Sequence, residues 1–311
     1  MAKEIMNLAP IILFVYNRPG HTRQTLQALK SNVLADQSIL HIYVDGLKDD
    51  AGEEAMSNQA ELKKILREEQ WCKEVVIHES EKNLGLASSV KKGVTEIVNQ
   101  FGKVIVLEDD LITGKYFLKF MNDALDMYEN SHEVISITGY IYPVKRLMPQ
   151  TFFLKGADCW GWATWKRGWD LFESEGKKLL SELESKNLID DFNFYKSYPY
   201  AQMLRDQIEG KNDSWAILWY ASAFLKDKLT LYPGISMVHN IGIDGSGMHS
   251  GAYTDKFNVK LNNSEVKLVT VPIKENERCK VYIAEYFYEV FGTKEKTFFE
   301  KIKHKLFGRN A

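Results

Sequence analysis

Short apolar runs alternate with stretches of helical periodicity through the first 110 residues. The runs IILFVY (11 to 16), LHIYV (40 to 44), VVIH (75 to 78) and VIVL (104 to 107) have the length and β-branched content of strands. Between them lie a helix carrying Leu26, Leu29 and Val33 and an amphipathic stretch near residues 52 to 69. After NLGL comes a helix with Val90, Val94, Ile97, Val98 and Phe101 on one face and Ser88 as a candidate cap. Strands alternating with helices in this way imply right-handed crossovers. The fold class expected is α/β, with a Rossmann-like, mainly parallel central sheet flanked by helices. Such sheets bind ligands outside the carboxyl ends of their strands, so the residues that matter are Tyr16-Asn17-Arg18, Asp45-Gly46, His78-Glu79 and Glu108-Asp109-Asp110.

The pattern changes in the second half. A helix carrying Phe117, Phe120, Met121, Ala124 and Leu125 precedes VISIT (134 to 138), a proline-punctuated loop, and the segment FFLKGADCWGWATWKRGW. There follow an aromatic-rich polar stretch, DFNFYKSYPY, a buried helix near residues 214 to 226, LTLYP, and the glycine-rich NIGIDGSGMHSG (240 to 251). No internal repeat or low-complexity linker divides the chain. Residues 1 to 255 are expected to form one domain, and residues 256 to 311 a smaller C-terminal extension.

Composition narrows this little. Hydrophobic residues at 45% and charged residues at 26% are ordinary for a globular chain of 311 residues, and a net charge of -2 gives no global attraction to nucleic acid. Cys72, Cys159 and Cys279 lie far apart, with neither zinc-ligand spacing nor a disulfide count, which fits a reducing cytoplasm. The opening apolar run is too short to span a bilayer and is read as a buried strand.

Three consecutive carboxylates directly after an apolar strand, VIVLEDD, repel one another unless solvent, hydrogen bonds or a cation offsets the charge. A divalent ion such as Mg2+ or Mn2+ suits carboxylate oxygens and commonly shares them with substrate phosphates. A solvated acidic turn before the next helix is the plainer alternative.

At this point the sequence resembles GT-A glycosyltransferases, in particular bacterial family 2-like enzymes related to the inverting N-acetylglucosaminyltransferase I type. The resemblance covers about residues 9 to 250 and rests on ordered motifs: PIILFVYNRP, IYVDG, NLGLASSVKKG, VIVLEDDL, CWGWATW, DSWAILW and NIGIDGSGMH. It implies a GT-A fold and an inverting transfer of a sugar from a nucleotide-diphosphate donor, with UDP the first nucleotide to consider. The acceptor implied is a glycan or polyprenyl-linked hydroxyl in surface polysaccharide assembly. Residue by residue, it implies that Asn17 and Arg18 sit near the nucleotide, that Asp45 accepts from the uracil N3 position, and that Asn83 and Gly85 shape the nucleotide pocket. It further places Glu108 and Asp109 near the ribose and donor sugar, with Asp110 binding the metal. Without the resemblance, Asp45 reads equally well as an Asp-Gly turn.

Trp162, Trp165 and Trp169 recur at near-helical spacing, which by itself signals packing. Trp160-Gly161-Trp162 can instead present a ring to a sugar, with Asp158 the polar neighbour, so these four are expected at the donor or acceptor pocket. In the resembling proteins a loop like NIGIDGSGMHSG closes over the diphosphate, which makes His249 either the second metal ligand or a phosphate contact, with His239 its rival. Asp213 stands at the mouth of the buried helix. It is read there either as a cap, a role open also to Asn212 or Ser214, or as the general base that the resembling enzymes supply from this place. The tail KTFFEKIKHKLFGRN (296 to 310) has an apolar face ringed by Lys and Arg, suited to peripheral contact with an anionic membrane or to docking on the domain. Two rivals remain. A sugar nucleotidylyltransferase should show a glycine-rich phosphate loop where this chain has YNRPGH, and a silent carbohydrate-binding protein should bind a nucleotide without turnover.

Overall fold

The protein is described by a computed structural model covering residues 8–245 and 254–291. His249 and the basic tail lie outside the described residues. Ten strands run in chain order: β1 Ile11–Val15, β2 Ile39–Val44, β3 Glu74–Glu79, β4 Lys103–Glu108, β5 Leu111–Thr113, β6 Val134–Thr138, β7 Thr151–Lys155, β8 Trp162–Trp165, β9 Leu229–Pro233 and β10 Val238–Asn240. The helices are α1 Pro19–Lys30, α2 Glu53–Ile65, α3 Leu86–Phe101, α4 Phe117–Met127, α5 Lys166–Trp169, α6 Gly176–Ser185, α7 Ile189–Phe192, α8 Tyr200–Ile208, α9 Trp215–Leu225 and α10 Glu277–Phe291. Among the described residues, no helix is long and apolar enough to cross a membrane.

Eight strands form one sheet in the order β3-β2-β1-β4-β8-β6-β9-β7. The pairs β1–β2, β1–β4, β2–β3 and β6–β9 are parallel, whereas β8 runs antiparallel to both β4 and β6, and β7 antiparallel to β9. The sheet is therefore mainly parallel, as the alternation of strands and helices predicts. In β1 every residue is buried, because successive side chains enter different cores. Ile11, Leu13 and Val15 pack with α1, α2 and α4, while Ile12 and Phe14 pack with Val90, Val94, Ile97 and Val98 of α3. A third cluster joins Phe152 and Leu154 of β7 to α6, α8, α9 and the inner face of α10.

Local details differ from the sequence reading in instructive ways. The helix α3 is entered through Gly85, and Ser88 makes no cap. Trp162 and Trp165 belong to a strand, so their rings point to opposite cores rather than along one helical stripe. The mouth of α9 is capped by Ser214, whose hydroxyl accepts from the Ile217 N–H at 3.3 Å.

Candidate active site

Strand register determines where the cleft opens. Val15 pairs with Val44 and Phe14 with Glu108, so β1, β2 and β4 end level and deliver Tyr16–Arg18, Asp45 and Glu108–Asp110 to one edge. A cavity of about 660 Å³ lies there, lined by these residues on one side and by an aromatic wall on the other. Its size is in the range of a small-molecule site.

The centre of the first wall is an ion cluster. The Arg18 guanidinium donates through Nη2 to Asp109 Oδ1 and, at 2.7 Å, to Asp110 Oδ2. Burial alone would lower the Arg18 pKa, but the two carboxylates outweigh it and raise it. One guanidinium does not balance three carboxylates, two of them buried and Glu108 partly so. Burial and the charges of Asp110 and Asp109 push Glu108 up to about 8, and burial pushes Asp109 up to about 6 against the pull of Arg18.

Two polar atoms of this wall, Asn17 Oδ1 and Arg18 Nη1, are buried with no hydrogen-bond partner among the described residues. Gly242, in the segment after β10, roofs the cluster: a Cβ there would lie 2.0 Å from Asp110 Oδ2 and 2.9 Å from Arg18 Nη1, so a larger residue would force the ion pair to shift. The segment is held in place by the Ile241 N–H, which donates to the Asp110 carbonyl, and by the Gly242 N–H, which donates to Asn240 Oδ1 at 2.7 Å. Asn240 lines the cleft, whereas His239, on the alternate face of β10, does not.

The described residues contain no group of three or more His, Cys, Asp or Glu side chains arranged to coordinate a metal. The carboxylates nevertheless fit a hard divalent cation of the kind that takes one or two protein ligands and completes its shell with phosphate and water. Their unbalanced negative charge, and the raised pKa values of Glu108 and Asp109, are what such an ion would relieve.

Asp45 is committed locally. Its carboxylate accepts from the N–H groups of Gly46 (3.0 Å), Leu84 (2.8 Å) and Gly85 (2.9 Å) and from Asn83 Nδ2 (3.2 Å). A uracil N3–H would compete with these four bonds, so the side chain serves first to pin the 83–85 turn, with Asn83 and Gly85, against the cleft. Asp45→Ala is therefore expected to cost about 2 kcal/mol in urea unfolding by orphaning these donors. A loss under about 0.5 kcal/mol, the usual range for an incidental surface change, would discount the pin.

The second wall is built from the loop after β6, the β7–β8 connection, α8, α9 and β9. Trp160 faces the cavity and packs edge-on against Tyr140 (4.6 Å) and Phe257 (5.6 Å). Trp162 does not face it: at 0% exposure it stacks among Trp169, Trp215 and Trp219. Gly161 likewise serves packing, with φ of +63° and Val238 Cγ2 only 2.6 Å from where a Cβ would sit. Asp158 lines the cavity, and burial pushes its carboxyl up to about 6 even though the N–H groups of Trp160 and Cys159 and the Thr138 hydroxyl stabilise its charge. Asp213 is exposed and outside the lining, which begins one residue later at Ser214.

The sequence reading missed Gly242 and the tyrosines Tyr142, Tyr198, Tyr200 and Tyr232, all at the cavity. Two of these tyrosines lie in the aromatic polar stretch that stood out in the sequence without a role.

No protein-family model matches the chain, and no curated protein matches it. Solved structures resemble it loosely. A mannosyltransferase from Pyrobaculum calidifontis, in complex with GDP-Man and Mn2+, aligns at 11% identity and a TM-score of 0.32, over 44% of this chain and 35% of that one. TarS from S. aureus aligns at 13% identity and a TM-score of 0.37, over 93% and 44%. A UDP-glucose pyrophosphorylase complexed with UDP-glucose aligns at 12% identity and a TM-score of 0.38, over 73% and 90%. The chain thus spans less than half the length of these first two structures.

Proposed function

We propose that this chain is an inverting glycosyltransferase that moves a sugar from a nucleoside-diphosphate donor to a hydroxyl acceptor with the aid of a divalent cation. One observation carries the reading: a buried guanidinium nitrogen without a partner among the described residues lies beside three carboxylates in excess of their counter-charge, under a close-fitting roof at Gly242. An unpaired cationic donor suits an anionic oxygen, and excess carboxylate suits a hard cation. A metal-bound diphosphate satisfies both. Arg18 Nη1 would donate to a phosphate oxygen, and Asn17 Oδ1 would accept from a donor hydroxyl. Asp110, with Asp109, would hold the cation, which when bound neutralises the diphosphate as a leaving group. The motif resemblance supports a UDP-sugar as donor and a glycan or lipid-linked acceptor of surface polysaccharide assembly.

Calorimetric titration with UDP, GDP, CDP and dTDP, with and without Mn2+, tests the reading. One nucleotide is expected to bind with Mn2+ dependence, and Asp110→Ala to weaken it at least tenfold, on the order of 1.4 kcal/mol, with the fold retained. Unchanged Mn2+-dependent affinity in the variant would remove Asp110 as a ligand, and no binding of any nucleotide would remove the function. Release of pyrophosphate from a nucleoside triphosphate and a sugar 1-phosphate would reassign the chain to nucleotidylyl transfer.

A further inference from the structure

The aromatic wall is chemically distinct from the ion cluster it faces, and among the described residues its one carboxylate is Asp158. This residue follows β7 at the bend that leads to β8, where its Oδ1 accepts from the Trp160 N–H at 3.0 Å. Tyrosines approach it from three directions: Tyr140 and Tyr142 after β6, Tyr200 on α8 and Tyr232 on β9. The Tyr142 and Tyr200 hydroxyls share a hydrogen bond of 3.0 Å. Cys159, next in sequence, is within electrostatic reach of Asp158 on one side and of Glu108 and Asp110 on the other, so the carboxylate lies near the ion cluster across one shared cavity. At the mouth of α9, where the resemblance places a base, the cavity is lined by Ser214 and not by Asp213.

We infer that the aromatic wall is the acceptor subsite, for a hydroxyl on a ring with an apolar face such as a pyranoside, and that Asp158 is the carboxylate receiving the hydroxyl proton. The inference rests on the glycosyltransferase reading. Trp160 and Phe257 would pack against the ring face, as aromatic side chains do in ligand pockets. As the acceptor oxygen bonds to the anomeric carbon, the bond from that carbon to the diphosphate breaks and its electron pair leaves with the nucleoside diphosphate. The hydroxyl proton passes to Asp158 and from there to solvent. A carboxyl whose burial moves it to about 6 is better matched to this task than an ordinary surface aspartate. The titratable groups facing it are the four tyrosines and the Cys159 thiol, all with pKa values raised by burial, so near pH 6 they remain neutral.

The test uses the chain with Mn2+ and the donor selected by titration, and as acceptor probes the phenyl and octyl β-glycosides of glucose, galactose and N-acetylglucosamine. Asp158→Asn is expected to bind donor within threefold of wild type and to lose about 100-fold or more in transfer, or in slow donor hydrolysis where water is the nucleophile. The wild-type rate should rise through about pH 6, and the residual rate of Asp158→Asn should lack that limb. Trp160→Ala should weaken glycoside binding about tenfold and spare the nucleotide. Three results overturn the inference while leaving the glycosyltransferase reading intact: near-normal turnover in Asp158→Asn, a larger loss in Asp213→Asn than in Asp158→Asn, or no glycoside binding by the donor-loaded wild type. Failure of the wild type to bind any nucleotide sugar would instead remove the reading beneath it.

Discussion

Arg18→Met is expected to destabilise the protein by about 3–5 kcal/mol at pH 8, the range seen when one partner of a buried ion pair is removed. Methionine keeps much of the length and packing of the arginine stem, so the loss isolates the charge. In the intact protein the guanidinium faces Asp109 and Asp110, and even with it Glu108 is pushed up to about 8 and Asp109 up to about 6. Without it these values rise further. A carboxyl whose folded pKa lies above its unfolded value favours folding when protonated, so the deficit should be absent below about pH 4, the unfolded range, and grow as pH rises through 6 and 8. Urea unfolding between pH 4.5 and 8.5 measures it, and millimolar Mn2+ should recover part of it at the alkaline end. A loss of stability that is independent of pH would mean that the methionine disturbs packing and that the carboxylates are better solvated than their burial suggests.

Trp162→Ala is the second large effect. The indole is fully buried, 5.5 to 5.8 Å from Trp169, Trp215 and Trp219 by ring centres, and its removal leaves a cavity between α3, β8 and α9. Truncation of a core aromatic to alanine costs about 3–5 kcal/mol. The expected result is a lowered denaturation midpoint with an unchanged urea slope, and donor affinity within threefold at a temperature where the variant is folded. A variant as stable as wild type that no longer binds glycosides would return Trp162 to the substrate wall.

Trp162 also shows what the sequence conceals. Its strand is one of two that oppose the prevailing direction of the sheet, and it is paired on both sides by segments distant in the chain. Near-helical spacing of indoles therefore arose by coincidence in a strand and the short helix after it. By contrast β1 and β4 were legible because each carries a continuous apolar run buried on both faces, and β2 because His41 is the one polar break in an otherwise apolar and aromatic run. Their ends then follow from topology: Asn17, Arg18, Asp45 and Glu108–Asp110 all reach the cleft without any knowledge of side-chain contacts.

What those side chains do once there was less legible. Three of the four donors held by Asp45 come from a turn that lies 38 to 40 residues further along the chain. Whether Asp213 or Ser214 meets the cavity depends on one residue of phase at a helix mouth. The close approach over position 242 comes from a carboxylate in the turn between β4 and β5. Each is decided by a tertiary approach distance, which local pattern does not encode.

The order of strands in the sheet bears on how the chain is made. The parallel set β3-β2-β1-β4 can pair as soon as residue 108 has emerged from the ribosome, since all its hydrogen bonds lie within that stretch. Its VIVL edge, however, then waits for β8, and with β8 for the second wall of the cleft. A nascent chain thus carries an unpaired apolar strand edge through the synthesis of β5, α4, β6 and β7, the kind of edge that recruits other chains. Most of the ion-cluster wall is made early, while its roof at Gly242 and the aromatic wall come late, so translation pauses or truncations between residues 110 and 160 should favour aggregation, and sequences that hasten the arrival of β8 should protect against it.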